Sequence, residues 1–280
     1  MVVVDLHLHT TASDGRLSPT ELINLVASKG LKVVAVTDHD STEGLAEAYE
    51  AAAAFPQLTL IPGIELSTDV PGNEIHLLGY YLQYHDEGFQ ETLKKFRLGR
   101  VDRARGMVEK LCAMGMDIEW ERVQQIAGDG AVGRPHIALA MIEKGYISLP
   151  KEAFDKYIGR NGPAYVEREK LTAEHSISLI SGCGGVAVLA HPAYLPDLDN
   201  TVRELKGAGL VGMEVYYAEY TVEKIQELAD VAAEHGLLPC GGSDYHAQGT
   251  PGEPVPGTMG PPMEVVESLK ALATDRGRAK

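Results

Sequence analysis

Seven short, β-branched apolar runs recur along the chain, and imidazoles or carboxylates stand where most of them stop. The runs are Val2–His7, Val33–Thr37, Leu58–Gly63, Ile75–Tyr81, Val186–Ala190, Gly212–Tyr216 and Leu237–Gly241. Amphipathic, helix-like stretches separate most of them, which is the pattern of βα units around a parallel sheet. Ser18-Pro19-Thr20-Glu21 supplies a cap, a proline and a capping-box glutamate for the first helix. Further helices are expected near Glu43–Phe55, Val222–His235 and Met263–Thr274, the last after a Pro/Gly-rich loop over Gly249–Pro262. At 280 residues the chain suits one large α/β domain, or one domain carrying an insertion.

The residues at the strand ends carry the chemistry. The first run leads into Asp5-Leu6-His7-Leu8-His9-Thr10, with Asp14 just beyond. Thr37-Asp38-His39-Asp40 closes the second and Gly63-Ile64-Glu65 the third. His76 opens the fourth, His191 follows the fifth, and Asp244 and His246 follow the last. Side chains two apart on an extended segment share a side, so His7 and His9 can reach one ion. Parallel α/β barrels gather their reacting groups at the carboxyl ends of several strands. An isolated histidine is usually structural, but six histidines and three carboxylates at strand ends make a metal site. A catalytic ion usually takes three or four protein ligands. Nine candidates therefore imply two or three ions, with Glu65 suited to bridge. Imidazole and carboxylate without thiolate favour manganese, with iron or zinc as alternatives. Such a cluster makes a hydroxide nucleophile at neutral pH and neutralises charge on a phosphoryl oxygen. Asp5, Asp38 and Asp40 either orient ligand histidines from behind or serve as turn and cap residues.

From about Phe96 to Lys170 the βα rhythm gives way to helical patterns, a candidate helical subdomain inserted between 1–95 and 171–280. Arg97, Arg100, Arg103 and Arg105 crowd its start, and a loop with Gly133, Arg134, Pro135 and His136 opens the helix expected at Ile137–Lys144. Residues 97–170 hold 13 basic and 11 acidic side chains, a balance of +2; the whole chain stands at −15, which leaves −17 for the rest. One reading is an ordinary solvated helical surface. The other is that arginines face the metal cleft and clamp a phosphate, for which the planar guanidinium fork is suited. Arg134, beside Pro135 at a helix start, is the first candidate. His136 either assists it or is structural.

The segments DLHLHT with Asp14, TDHD, PGIELS, the His76 strand, VLAHP and GGSDYH, in that order, resemble the PHP (polymerase and histidinol phosphatase) family over roughly residues 1–85 and 175–250. The resemblance implies a distorted (β/α)7 barrel. It also implies that His7, His9, Glu65 and Asp244 hold one metal. Glu65, His76 and His191 would hold a second, and Asp14, His39 and His246 a third. Glu65 and Asp244 are then the expected catalytic residues, holding a metal-bound hydroxide, with His39 and His246 also facing substrate. The insertion, through RVDRARGMVEKL, VGRPHIA and FDKYIGRNGPAYV, resembles that of stand-alone bacterial phosphoesterases acting on 3′,5′-nucleoside bisphosphates or on RNA from its 5′ end. By that likeness Asp102, Arg103, Arg105, Arg134, Pro135 and His136 become substrate contacts.

The expected activity is thus a metal-dependent phosphoesterase acting on a small nucleotide with two phosphates or on a short RNA 5′ end. A histidinol-phosphate phosphatase, an amidohydrolase cleaving C–N bonds and a non-enzymatic metal-stabilised module are the alternatives. Cys112, Cys183 and Cys240 are odd in number and lack a CxxC spacing, so neither a disulfide framework nor a zinc–thiolate cluster is expected, and a cytoplasmic setting fits. Met1 leads straight into an apolar run without a basic secretory n-region. No apolar stretch approaches the ~20 residues of a membrane span. The acidity argues against coating DNA, and no obligate protein partner is evident.

Overall fold

Each apolar run forms a strand: β1 (Val4–Asp5), β2 (Val33–Val36), β3 (Thr59–Val70), β4 (Asn73–Tyr80), β5 (Val186–Leu189), β6 (Gly212–Tyr217) and β7 (Leu238–Gly242). The computed structural model describes residues 2–70, 73–128, 130–167, 171–249 and 252–278. The strands pair in sequence order within one sheet. At the β1–β7 seam Leu6 N–H donates to Gly241 O (3.3 Å), Asp244 N–H to His7 O (2.9 Å) and His9 N–H to Tyr245 O (3.0 Å), which nearly closes a barrel.

The expectation of an all-parallel sheet fails at β4, which runs antiparallel to β3 and to β5 while the other neighbours are parallel. Only residues 71 and 72 separate β3 from β4, whereas a parallel crossover needs a dozen or more. β3 also continues past Gly63 to Val70, so Glu65 sits within a strand, opposite Leu78, and Ser67 lies opposite His76. Reversal brings the start of β4, and with it His76, level with the carboxyl ends of the other strands.

The helices are α1 (Pro19–Ser28), α2 (Leu45–Ala52), α3 (Glu87–Ala113), α4 (Trp120–Ala127), α5 (Arg134–Glu143), α6 (Pro150–Ala153), α7 (Ala173–Gly182), α8 (Leu198–Ala208), α9 (Val222–Glu234) and α10 (Met263–Arg278), with a π-turn over Phe154–Ile158. Ser18 Oγ accepts from Glu21 N–H (3.2 Å) and Glu21 Oε2 from Ser18 N–H (2.8 Å), the capping box read from the sequence. α5 begins at Arg134, three residues before the expected helix start.

The barrel's buried clusters join the strands to α1 and α2 on one side, to α7, α8 and α9 on another, and to α10. A separate cluster packs Met107, Val108, Leu111, Val123, Ile137 and Met141 within the insertion. α3 serves both: Phe89 and Leu93 belong to the barrel's cluster, Ala104 to Leu111 to the insertion's. The expected domain limit at Phe96 therefore falls inside one continuous helix. The other expected limit, Lys170, lies outside the described residues. No helix among the described residues is long and apolar enough to cross a membrane.

Gly242 sits where β7 presses on β1: a Cβ there would lie 2.4 Å from His7 N and 2.6 Å from His7 Cβ. Gly242→Ala is expected to cost about 1–3 kcal/mol of stability through overpacking, read from urea unfolding. Gly207→Ala, within α8 where a Cβ meets nothing within 4 Å, should instead be neutral or stabilising.

Candidate metal centre and its arginine-lined cleft

The nine candidate ligands converge at the end of the barrel where β1 and β7 close. His7 and His9, two apart, aim their Nε2 atoms at the same carboxylates: both lie 3.2 Å from Glu65 Oε2, and 3.1 and 3.0 Å from Asp244 Oδ1. His39 Nδ1 approaches Glu65 Oε2 from the other side at 3.2 Å. Glu65 Oε1 receives His76 Nδ1 at 2.8 Å and His191 Nε2 at 3.1 Å. Asp14 lies 3.3 Å from His246 Nε2 and 3.8 Å from His39 Nε2.

Donor atoms within 4.8 Å of one another form three groups: His7, His9, Glu65 and Asp244; His9, Asp14, His39 and His246; and His39, Glu65 and His76. The first matches the expected set. The others differ from expectation in that His9 joins the Asp14 group and His39 stands with Glu65 and His76, where His191 was expected; His191 meets the group through Glu65 Oε1.

The fit to cations is testable on these atoms alone. His7 Nε2, His9 Nε2, Asp14 Oδ1, His39 Nδ1, Glu65 Oε2 and Asp244 Oδ1 are buried and crowd one another, yet among the described residues none makes a hydrogen bond of good geometry. A buried polar atom left unpaired costs about 1–3 kcal/mol, so this many in one place call for a partner from outside the chain. Two ligands each about 2.1 Å from one ion and at right angles are about 3.0 Å apart, which is the spacing found. The donor set, imidazole nitrogen and carboxylate oxygen, suits a divalent cation.

Carboxylates and imidazoles in the cluster shift one another's ionisation, most of the rings being drawn toward the charged form where no cation stands among them. Burial opposes ionisation of Glu65, but the imidazoles of His39, His7 and His76 outweigh it and hold its pKa well below the carboxylate range. Asp14 and Asp244 are likewise buried yet held low, Asp14 by His246 and His39, Asp244 by His7 and His246. Burial takes His39 down to about 3 against the pull of Glu65 and Asp14. His246 is pushed the other way: burial opposes its charge, but Asp14 and Asp244 raise it to about 10.

Of the three aspartates left open by the sequence, Asp5 and Asp38 make no direct hydrogen bond to a candidate ligand imidazole among the described residues, Asp38 reaching His9 Nδ1 only through Ser13 Oγ (3.5 Å). Asp38 accepts from Thr10 N–H (2.7 Å), Thr10 O–H (2.7 Å) and Ser13 O–H (2.6 Å), fixing the loop after β1. Asp5 accepts from Ser243 N–H (2.9 Å) and Gly257 N–H (3.0 Å); burial raises it to about 6 despite those bonds. Asp40 Oδ2 receives Arg100 Nε at 2.5 Å, and Ser67 Oγ receives Arg100 Nη2 at 2.6 Å. The orienting role belongs instead to Glu214 of β6, fully buried, whose Oε1 lies 3.0 Å from His7 Nδ1 and whose Oε2 accepts from His191 N–H at 2.8 Å. The sequence reading missed it; its signal is a lone glutamate inside the apolar strand Gly212–Tyr217. Tyr217 O–H donates to Asp244 Oδ2 (2.8 Å), leaving Oδ1 toward the cluster.

A cleft of about 240 Å³ opens onto His39, His76, Asp14 and His246 and is walled by Arg100, Arg103, Arg134 and Pro135. Arg100, Arg103, Ala104 and Met107 recur at helical spacing and share the face of α3 toward the cleft. Asp102 and Arg105 fall on other faces, which corrects their expected place: Asp102 is exposed, and Arg105 sits over the Trp120 ring at 5.3 Å. Arg103 donates Nε–H to Val166 O (2.9 Å) and lies over Tyr165; Arg134 lies over Phe154 at 5.4 Å. His136 does not line this cleft. Its Nδ1 accepts from Gly133 N–H (3.0 Å), so it shapes the turn that presents Arg134 and Pro135.

The PHP domain model matches residues 5–236. A 3′,5′-nucleoside bisphosphate phosphatase of Chromobacterium violaceum is 34% identical over 91% of this chain and 91% of its own length. A 5′–3′ exoribonuclease of Escherichia coli is 35% identical over 88% of this chain and 85% of its own. Both relatives are hydrolases of phosphoester bonds. Among solved structures, a Bifidobacterium adolescentis protein described as a metal-dependent phosphoesterase superposes with TM-score 0.87 at 29% identity, covering 96% of each chain. A Chromobacterium violaceum protein described as an amidohydrolase, with bound sulfate and no metal, superposes equally well at 30% identity and the same coverage. The matched span, the barrel and the converging ligands agree: the chain belongs to the PHP family of phosphoesterases.

Proposed function

We propose that the protein releases phosphate from nucleoside 3′,5′-bisphosphates, or a mononucleotide from the 5′ end of short RNA, using divalent ions held at the barrel end. One juxtaposition carries this reading: the cluster of buried candidate ligands reaches, through Asp14 and His39, a cleft walled by three arginines. The names of the bacterial relatives support both substrate classes. In this reading His7, His9, Glu65 and Asp244 hold one ion, Glu65, His76 and His191 a second, and Asp14, His39 and His246 a third. Manganese is the first candidate, with iron or zinc next. When bound, such ions neutralise charge on a phosphoryl oxygen and activate water near neutral pH.

The chain's own groups do the rest. Glu65 and Asp244 supply ionised carboxylates where the reaction occurs, and His39 and His246 face the substrate from the cleft floor. Arg100, Arg103 and Arg134 grip the phosphate that does not react, so that the other is presented to the cluster. Asp40 and Ser67 hold Arg100 in place. An amino-alcohol monophosphate such as histidinol phosphate offers this cleft a single anion, and C–N hydrolysis has no use for the arginines. The two-phosphate substrate is therefore favoured over both.

Manganese-reconstituted protein should release phosphate from pAp or mononucleotide from 5′-phosphorylated RNA, lose that activity on chelation and regain it with manganese; no product from either substrate overturns the reading. Arg100→Ala or Arg134→Ala should raise KM about 10- to 100-fold with a smaller change in kcat, the loss of a charge-assisted hydrogen bond, measured by steady-state kinetics. Glu214→Gln should weaken metal affinity about 10- to 100-fold in calorimetric titration, since it holds His7 from behind.

A further inference from the structure

A second cavity of about 520 Å³ adjoins the arginine cleft and has the opposite character. The two share Asp14 and His246 as floor and Pro135 and Phe154 as roof, so they are lobes of one cleft divided at the candidate metal centre. The first lobe reaches His39 and His76 at one end of the cluster, the second Asp244 at the other. Arginines wall the first. The second contains Glu219 and Glu253, with Tyr217, Phe154 and Leu139 as apolar surface, and none of its lining residues is lysine or arginine. Glu253 accepts from Gln248 and Gly249 N–H (both 2.7 Å), but Glu219 is exposed and has no salt-bridge partner among the described residues.

We propose, building on the function proposed above, that this acidic lobe selects against length: it accepts the uncharged sugar and base beyond the reacting phosphate and rejects a further phosphate. With one phosphate among the arginines and a second over the cluster, whatever follows enters the acidic lobe. A nucleoside bisphosphate ends at the reacting phosphate and leaves the lobe empty, whereas a dinucleotide sends an uncharged nucleoside there, and planar apolar walls suit its base. For a trinucleotide or longer RNA it carries a third phosphate toward Glu219, and like charges brought together penalise binding. The substrate class is thus a compact two-phosphate nucleotide rather than an RNA chain.

The test uses manganese-loaded protein and three substrates that add one element at a time: pAp, pApA and pApApA. Their kcat/KM values should be similar for the first two and drop at least about threefold for the trinucleotide. Glu219→Gln should narrow that drop and Glu219→Lys should close it, each read as the trinucleotide-to-dinucleotide ratio within one variant. Raising salt should narrow it in the unmodified protein, because exposed charges are screened. Equal cleavage of trinucleotide and dinucleotide overturns the inference and leaves the phosphoesterase reading standing, since the chain then leaves by another path. A drop that neither substitution nor salt alters assigns the limit to shape and overturns it as well. No turnover of pAp or pApA removes the functional reading itself, and the inference with it.

Discussion

The carboxylate of Glu65 is 1% exposed and lies against His7, His9, His39, His76 and His191. A charge taken that far from water is tolerated only when it is paired. Its partners come from the segments that follow β1 and β2, from β4 and from the turn after β5, which are far apart in sequence. Assembling them demands two features of the topology. The β1–β7 seam must close beside His7, and β4 must reverse so that His76 arrives from its strand's beginning. Barrel closure and site assembly are therefore one requirement. The backbone registers this: His191, Asp244 and Asp40 carry φ values of 29°, 54° and 49°, in the left-handed region that non-glycine residues seldom occupy. Strain of this kind persists where the surrounding structure over-determines it, and these residues are a candidate ligand, a second candidate ligand and the anchor of Arg100.

Behind the imidazoles, the second set of buried acids divides its labour. Glu214 holds one ring and the backbone of another candidate ligand, so His7 and His191 are positioned relative to each other through a single carboxylate. Asp38 and Asp5 bind backbone and hydroxyl groups of the loops after β1 and β7. Candidate ligands gathered from several loops need such fixed backbone, because a cation is held well only if its ligands need not reorganise.

Strand-end chemistry was legible in the sequence because polar, titratable residues in apolar runs leave few structural explanations. Seven strands and nine converging side chains could be read from that pattern alone. The reversal of β4 was not, since an apolar strand carries no mark of its direction; the short 71–72 connection decides it, and it shows only once β3 is seen to run to Val70. Glu214 escaped because it lies mid-strand rather than at an end. On α3 the arginine cluster was visible but its facing was not: which of Arg100, Asp102, Arg103 and Arg105 point inward depends on the helix's rotation against the barrel, set by packing of Phe89 and Leu93 at one end and Met107 and Leu111 at the other.

That rotation explains how an acidic protein presents a phosphate site. The barrel carries the negative excess and the insertion a slight positive one. Two such units joined by a flexible linker would leave the distance between arginine and metal centre variable. Here one helix of 27 residues runs through both cores, so the arginines are tied to the barrel by rigid backbone. Arg100 is tied a second time, by Asp40 and Ser67, which flank the candidate ligands His39 and Glu65 in sequence. The same loop and strand that deliver the ligands thus also set the guanidinium. The spacing between anion clamp and reacting centre is fixed before any substrate arrives, so binding one phosphate at the arginines also places the other at the cluster.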